Sequence, residues 1–223
     1  MILNNVKEDS SIDDVFEVIH EVKNSIAVCR GYLDIIDYDR ECDMDKYISI
    51  MKKEIGRSMD IIGNFMLFGK FTVCKKNMDI NELLCSLCCD IGVFITNMNV
   101  LFEYDILDDS IYVDGDCDKL KQVFINLIKN SIESIDKSDG IIKLYGYKKQ
   151  GYYHVVISDN GCGIDEDSIE KIMLGGFTTK FDGNGIGIKF CKKVILEHNG
   201  SIEYKSILGS GTKVIVKLPI VMI

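Results

Sequence analysis

From residue 10 to about residue 37, apolar side chains recur at spacings of three and four: Ile12, Val15, Ile19, Val22, Ile26, Cys29, Leu33 and Ile36. That period predicts an amphipathic helix. Ser10 or Ser11 is the expected N-cap, with Asp13 and Asp14 favourably placed in the first turn. The polar run DYDRECDMD interrupts the pattern. A second helical period runs from about Met44 to Phe68 through Tyr47, Ile50, Met51, Ile55, Met59, Ile62, Phe65 and Met66. The two segments predict a helical hairpin. A hairpin alone leaves one apolar side uncovered. Two hairpins from two chains close a four-helix bundle, so a homodimer through these helices is expected.

The segment GKFTVCKKNMD reads as a linker. After it the periods alternate. Asn81 to about Thr96 predicts a helix, NVLFEYDI and SIYVDGD short strands, and Cys117 to Ile135 a strongly periodic helix. GIIKLYGYKK and YYHVVISDN predict paired strands joined by the turn QG. Residues 160–184 look loop-rich. A helix to about His198 follows, then the turn HNG, then a last hairpin of SIEYKSI and TKVIVKLP around GSG. The expected organisation is a helical hairpin over 8–70 and a mixed α/β domain over 75–223.

Composition narrows the class. The chain has 223 residues, 47% of them hydrophobic, and one proline, Pro219, so a well-filled core with few interrupted elements is expected. No apolar run reaches 18 residues, so no membrane span is expected. The acidic start lacks a signal-peptide stretch, which points to a cytoplasmic location. The net charge is −9, with nine basic and fourteen acidic residues up to Lys70 and seventeen and twenty-one beyond it. Both parts are acidic, so nucleic acid is not an expected partner, although a local pocket can still hold a nucleotide. Nine cysteines follow no disulfide pattern. Cys85, Cys88 and Cys89 in CSLCCD could seed a zinc site, but a second ligand pair is missing. They read as buried, reduced thiols in a reducing compartment.

Four polar signals fall in the second domain. In NLIKN, Asn126 and Asn130 share one helical face, and amide oxygens are hard, neutral ligands suited to magnesium. In DNGCGID, Asp159 ends a strand, and Gly161 and Gly163 allow a sharp turn close to a flat ligand. A fixed carboxylate there can accept from an exocyclic amine, which favours adenine over guanine. In GNGIGI, Gly183, Gly185 and Gly187 open a helix whose amides suit phosphates. The segment does not follow a strand as a dinucleotide fingerprint would, and the chain has no P-loop. GSGT, Gly209 to Thr212, lies between the last two strands. Each signal alone is common in ordinary helices and turns.

Together, in this order and spacing, they resemble the catalytic ATP-binding domain of sensor histidine kinases, part of a wider ATPase group shared with gyrase. The resemblance implies a Bergerat-type α/β sandwich that binds ATP with Mg2+. DCDKLKQVFINLIKNSIESI is similar to the N box, which implies that Asn130 binds magnesium and Asn126 lies beside the phosphates. DNGCGI is similar to the first glycine box, with Asp159 the adenine reader, and GNGIGI to the second. GGFTTK resembles the F box and lid, implying roles for Phe177, Thr178, Thr179 and Lys180, with Lys180 neutralising phosphate. GSGT would set Thr212 near Asp159.

The first helix carries HEVKNSI, His20 to Ile26, which resembles the H box of the same kinases. The resemblance implies that His20 accepts a phosphoryl group, that Glu21 takes or holds the proton on the other ring nitrogen, and that Asn24 orients a hydrolytic water. Ser25 stands where the family usually has proline, which predicts a straighter helix below the histidine. The implied activity is an ATP-dependent protein-histidine kinase. It would autophosphorylate His20, pass the group to an aspartate of a response-regulator receiver domain, and also act as a phosphatase that hydrolyses the phosphorylated partner. The alternative is a histidine phosphotransferase or binding module with a regulatory ATP domain, against which the intact Asn130, Asp159 and glycines weigh. His154 and His198 read as structural.

Overall fold

The structure, a computed structural model, describes residues 5–38, 43–69, 72–107, 109–136, 138–174 and 186–221. The chain divides into two compact units, Met1–Phe71 and Thr72–Ile223.

The first unit pairs helix α1 (Asn5–Tyr38) with helix α2 (Met44–Gly69). Helix α1 begins before the expected caps. Ser10 and Ser11 therefore lie inside it, and Asp13 and Asp14 lie beyond its first turn. A side-chain cap serves only where amides lack an i−4 carbonyl, and here the ladder already runs past residue 10. The helix continues without interruption through Ser25, as a residue that keeps its N–H permits. The apolar stripe of α1 is wider than one partner can cover. Val18 and Ser25 are buried, and Val22, Cys29, Tyr32 and Ile36 are half-buried. Cys29 Sγ reaches the Met51 carbonyl at 3.7 Å, and the Tyr32 and Tyr47 rings lie 5.1 Å apart. Ile19, Ile26 and Leu33, spaced by seven, stay 56%, 61% and 53% exposed. Ile55, Met59 and Ile62 of α2 are exposed as well.

The second unit opens with β1 (Lys76–Asp79), antiparallel to β3 (Tyr112–Gly115). Its four residues fall in the expected linker, which is corrected here. KNMD offers one apolar residue and no alternation, so only the backbone pairing across to β3 makes it a strand. Helix α3 (Ile80–Phe94) is capped by Asp79, whose Oδ1 accepts from Asn81 N at 3.0 Å. A five-stranded sheet has the order β2-β4-β5-β7-β6, from β2 (Val100–Asp105), β4 (Gly140–Lys149), β5 (Tyr152–Asp159), β6 (Ser201–Ile207) and β7 (Gly211–Pro219). Strand β2 runs parallel to β4 and the other neighbours are antiparallel. Helices α4 (Cys117–Glu133) and α6 (Ile186–Glu197) pack against each other, α4 on β4 and β5 and α6 on β6. Their apolar faces supply Leu120, Val123, Phe124, Leu127 and Ile128, then Phe190, Val194 and Ile195, all buried. Each such side chain contributes roughly 1.5–3 kcal/mol by leaving water.

Helix α5 (Glu166–Leu174) lies in the stretch expected to be loop-rich, where no helix was read. Nine residues between glycine-rich segments give little period to read. The start is set locally: Asp165 Oδ1 accepts from Ser168 N at 2.9 Å, and Glu166 and Asp167 fill the first turn. The QG turn between β4 and β5 has positive φ at both residues, 52° at Gln150 and 79° at Gly151, the form that matches strand twist.

Two buried polar hubs fix the elements. Tyr153 OH donates to Asn81 Oδ1 at 2.5 Å, and Asn81 Nδ2 donates to the carbonyls of Leu107 and Asp109. His198 Nδ1 sits 2.7 Å from the Val194 carbonyl and Nε2 accepts from Asp116 N at 2.8 Å, so the ring is neutral with its proton on Nδ1. Burial pushes the His198 pKa down. His154, stacked 4.8 Å from Tyr147, is also lowered, by burial and then by Lys217 and Lys149. The cysteine expectation needs correction. Cys88 is buried, but Cys85 and Cys89 are exposed, because α3 turns Leu84, Leu87, Cys88 and Ile91 inward. Among the described residues the cysteines are free, no His/Cys/Asp/Glu group is set to hold a metal, and no helix is long and apolar enough to cross a membrane.

Candidate nucleotide site

The last residue of β5 is the centre of the site. Asp159 Oδ1 accepts from Gly161 N at 3.0 Å and from Thr212 N at 3.1 Å, and Ser134 Oγ lies 3.3 Å away, sharing its one proton with the Ser131 carbonyl at 2.8 Å. Its Oδ2 accepts from Ser131 Oγ at 3.0 Å. The donors come from the turn after β5, from β7 and from the last turn of α4. Each carboxylate oxygen offers two lone-pair directions. Oδ1 is crowded, while Oδ2 keeps room for one more donor. An exocyclic amine fits that vacancy, and a carbonyl at the same place would meet only acceptor density.

The glycines hold this centre by close approach of chain to chain. A Cβ on Gly161 would stand 2.5 Å from the Ser134 carbonyl oxygen, and one on Gly163 2.1 Å from that of Ile207. The space beside each is therefore filled by the protein's own backbone, where the sequence suggested a flat ligand. Cys162 N donates to the Ser134 carbonyl at 2.9 Å, and Gly209 N to the Cys162 carbonyl at 2.7 Å, which ties the loop to α4 and to the last hairpin. Ser206 Oγ donates to the Gly211 carbonyl and lies 2.8 Å from Thr212 Oγ1. Its single proton is thus used, and the Thr212 hydroxyl is the donor of that pair. Asp159 and Thr212 line a groove of about 710 Å³ whose other walls include Tyr204 and Ile169, with Glu166 and Glu170 of α5.

The N-box asparagines lie along α4 from this centre. Asn130 is half-buried, and no hydrogen bond engages its side chain among the described residues, so its amide oxygen is open to a hard cation. Asn126 Oδ1 accepts from Gln122 Nε2 at 3.1 Å, while its Nδ2 is buried without a hydrogen-bond partner of proper geometry. A buried donor lacking an acceptor suits a site for an anionic oxygen. Gly187, at the start of α6, is the described glycine of the second glycine segment: a Cβ there would be 4.0 Å from Asn126 Nδ2. The residues present thus fit a magnesium-bound adenine nucleotide. Phe177, Thr178, Thr179, Lys180, Gly183 and Gly185 lie outside the described residues. His20 and Asn24 are exposed and Glu21 half-buried on α1, in the other unit.

Sequence reasoning singled out Asp159, Gly161 and Thr212, which the structure brings together. It missed Ser131 and Ser134. Their spacing of three on a helix was a usable signal, because it puts both hydroxyls over one spot.

Residues 115–222 match the family described as histidine kinase-, DNA gyrase B-, and HSP90-like ATPase. The catalytic domain of the histidine kinase ThkA is 31% identical with a TM-score of 0.58, over 66% of this chain and 97% of that one. The chain belongs to this family, and its catalytic domain is homologous to those of sensor histidine kinases. ThkA solved in complex with the response regulator TrrA is 27% identical with a TM-score of 0.78, over 96% of this chain and 63% of that one. Sporulation kinase C of Bacillus subtilis is 28% identical over 205 residues, which is 91% of this chain and 47% of that protein. The chain thus spans about half the length of that curated relative.

Proposed function

We propose that this protein is an ATP-dependent protein-histidine kinase that phosphorylates its own His20 and passes the phosphoryl group to an aspartate of a response-regulator receiver domain. The observation that carries the reading is Asp159, a carboxylate held by donors from three separate segments with one acceptor direction left for an adenine amine. The exposed His20 supplies the second half. A neutral imidazole presents a nucleophilic ring nitrogen. That nitrogen forms a bond to the γ-phosphorus as the bond to the bridging oxygen breaks and ADP leaves. The proton on the other ring nitrogen goes to Glu21, the neighbouring carboxylate. Asn130 would hold the magnesium, which offsets phosphate charge. Asn24, one turn from His20 on the same exposed face, would orient water for removal of the phosphoryl group from the partner. The exposed stripes of α1 and α2 support a homodimer through the hairpin, since a second copy covers Ile19, Ile26, Leu33, Ile55, Met59 and Ile62. A cytoplasmic location suits this partner chemistry.

The test is incubation with γ-labelled ATP and magnesium. The protein should take up an acid-labile, base-stable label that is absent from His20→Gln and Asn130→Asp. Acid-stable label, or label retained without His20, would overturn the assignment. Label obtained only from a phosphorylated regulator would make the protein a phosphotransferase instead.

A further inference from the structure

The Asn126 amide has two chemically different ends, and its neighbours decide which way it points. Gln122, one turn earlier on α4, donates from Nε2 to Asn126 Oδ1 at 3.1 Å. On the other side lies the fully buried Cys191 of α6. Its thiol proton is directed to the Val123 carbonyl, 3.8 Å away, so the sulfur faces Asn126 as an acceptor. Asn126 is the neighbour that opposes the burial-driven rise of the Cys191 pKa, as a donor to sulfur does. A flipped amide would press Oδ1 against sulfur lone pairs. Nδ2 is buried with no hydrogen-bond partner of proper geometry. A Cβ on Gly187, at the start of α6, would stand 4.0 Å from that Nδ2.

We infer that Gln122 is a positioning residue for the nucleotide phosphates: by holding the Asn126 carbonyl, it keeps that amide's N–H group turned to the start of α6. Asn126 is then a hydrogen-bond donor to an anionic oxygen and not a metal ligand, and Asn130 alone of the pair serves the cation. The inference rests on the nucleotide reading above. It adds a role for Gln122, which no motif assigned.

The experiment measures binding of Mg-ATP and of adenosine by calorimetry on the whole chain, with a thermal midpoint for each variant. Gln122→Met removes the donor without adding charge. Gln122→Glu leaves only acceptors beside Asn126 Oδ1 and so favours the flipped amide. A hydrogen bond to a charged group is worth roughly 1.5–3 kcal/mol, or about 10–100-fold in affinity. Gln122→Glu should lose ATP affinity in that range and Gln122→Met less, with adenosine affinity unchanged within about twofold in both. In an Asn126→Ala background the same two changes should have no further effect on ATP. ATP loss that persists in that background means Gln122 acts directly or through charge, and overturns the inference. So does wild-type ATP affinity in Gln122→Glu. A wild-type protein that binds neither ATP nor adenosine overturns the nucleotide reading itself.

Discussion

Gly161→Ala tests whether the adenine centre is built by contact between the loop after β5 and the end of α4. An added Cβ would stand 2.2 Å from Ser134 Oγ, 2.5 Å from its carbonyl oxygen and 2.8 Å from its carbonyl carbon. The hydroxyl can rotate away. The carbonyl cannot, because it ends a helix and accepts from Cys162 N at 2.9 Å. Relief therefore requires the loop to move outward and that bond to stretch. Overpacking costs about 1–3 kcal/mol and the lost hydrogen bond about 1, so stability should fall by roughly 2–4 kcal/mol. For a unit of this size that lowers Tm by roughly 4–16 °C. The same movement carries Gly161 N off Asp159 Oδ1, and adenine-nucleotide affinity should fall at least about tenfold. Thermal melts and calorimetry with ATP read the two effects on one sample. A variant with unchanged Tm and unchanged affinity would refute the reasoning, since 2.5 Å to a fixed oxygen cannot be absorbed without movement.

Two further outcomes concern the scaffold. The His198 pKa is pushed below the ordinary 6.5 by burial, so an unfolded chain takes up that proton first as pH falls. Stability from the neutral ring, complete above about pH 6.5, should therefore decline below it. Urea midpoints at pH 7.5 and 5.5 should separate in the wild type and separate less in His198→Phe, and equal separations would exclude His198 as the cause. Tyr153→Phe strips the donor from the buried Asn81 Oδ1 and should cost roughly 1–3 kcal/mol in urea denaturation. No loss there would mean that Asn81 Oδ1 does not depend on the Tyr153 hydroxyl, since the Leu107 and Asp109 carbonyls engage only Nδ2.

How much was legible in the sequence follows from how local each cause is. Helix α4 was clear because five buried side chains recur on one face between an Asp116 cap and the IDKSDG break. Strands β4 and β5 were clear because a two-residue turn with glycine fixes their register. Strand β1 was hidden because its only reason to exist is the backbone of β3, more than thirty residues on. Helix α5 was hidden because a short helix has few turns in which to show a period. At the site, Asp159 and the glycines were readable as a motif, yet the reason for Gly161 was not. That reason is the Ser134 carbonyl, which no local pattern places beside it. The hydroxyls of Ser131 and Ser134 escaped notice for the same cause, since they matter only once the end of β5 arrives next to them.

This division has a consequence for how the site behaves. Asp159 is held from α4 through Ser131 and Ser134, from its own turn through Gly161, and from β7 through Thr212, while Ser206 of β6 supports Thr212. No single segment can form the adenine centre. Fraying of the β6–β7 hairpin withdraws the Thr212 donor, and loosening of the last turn of α4 withdraws two more. Each withdrawal frees an acceptor direction on the carboxylate, and a carboxylate with several free directions no longer distinguishes an incoming amine from water. On the proposed reading, selectivity for adenine is therefore coupled to the integrity of the whole sheet-and-helix unit. Mutations that melt it only in part should blur the choice between ATP and GTP before they abolish binding.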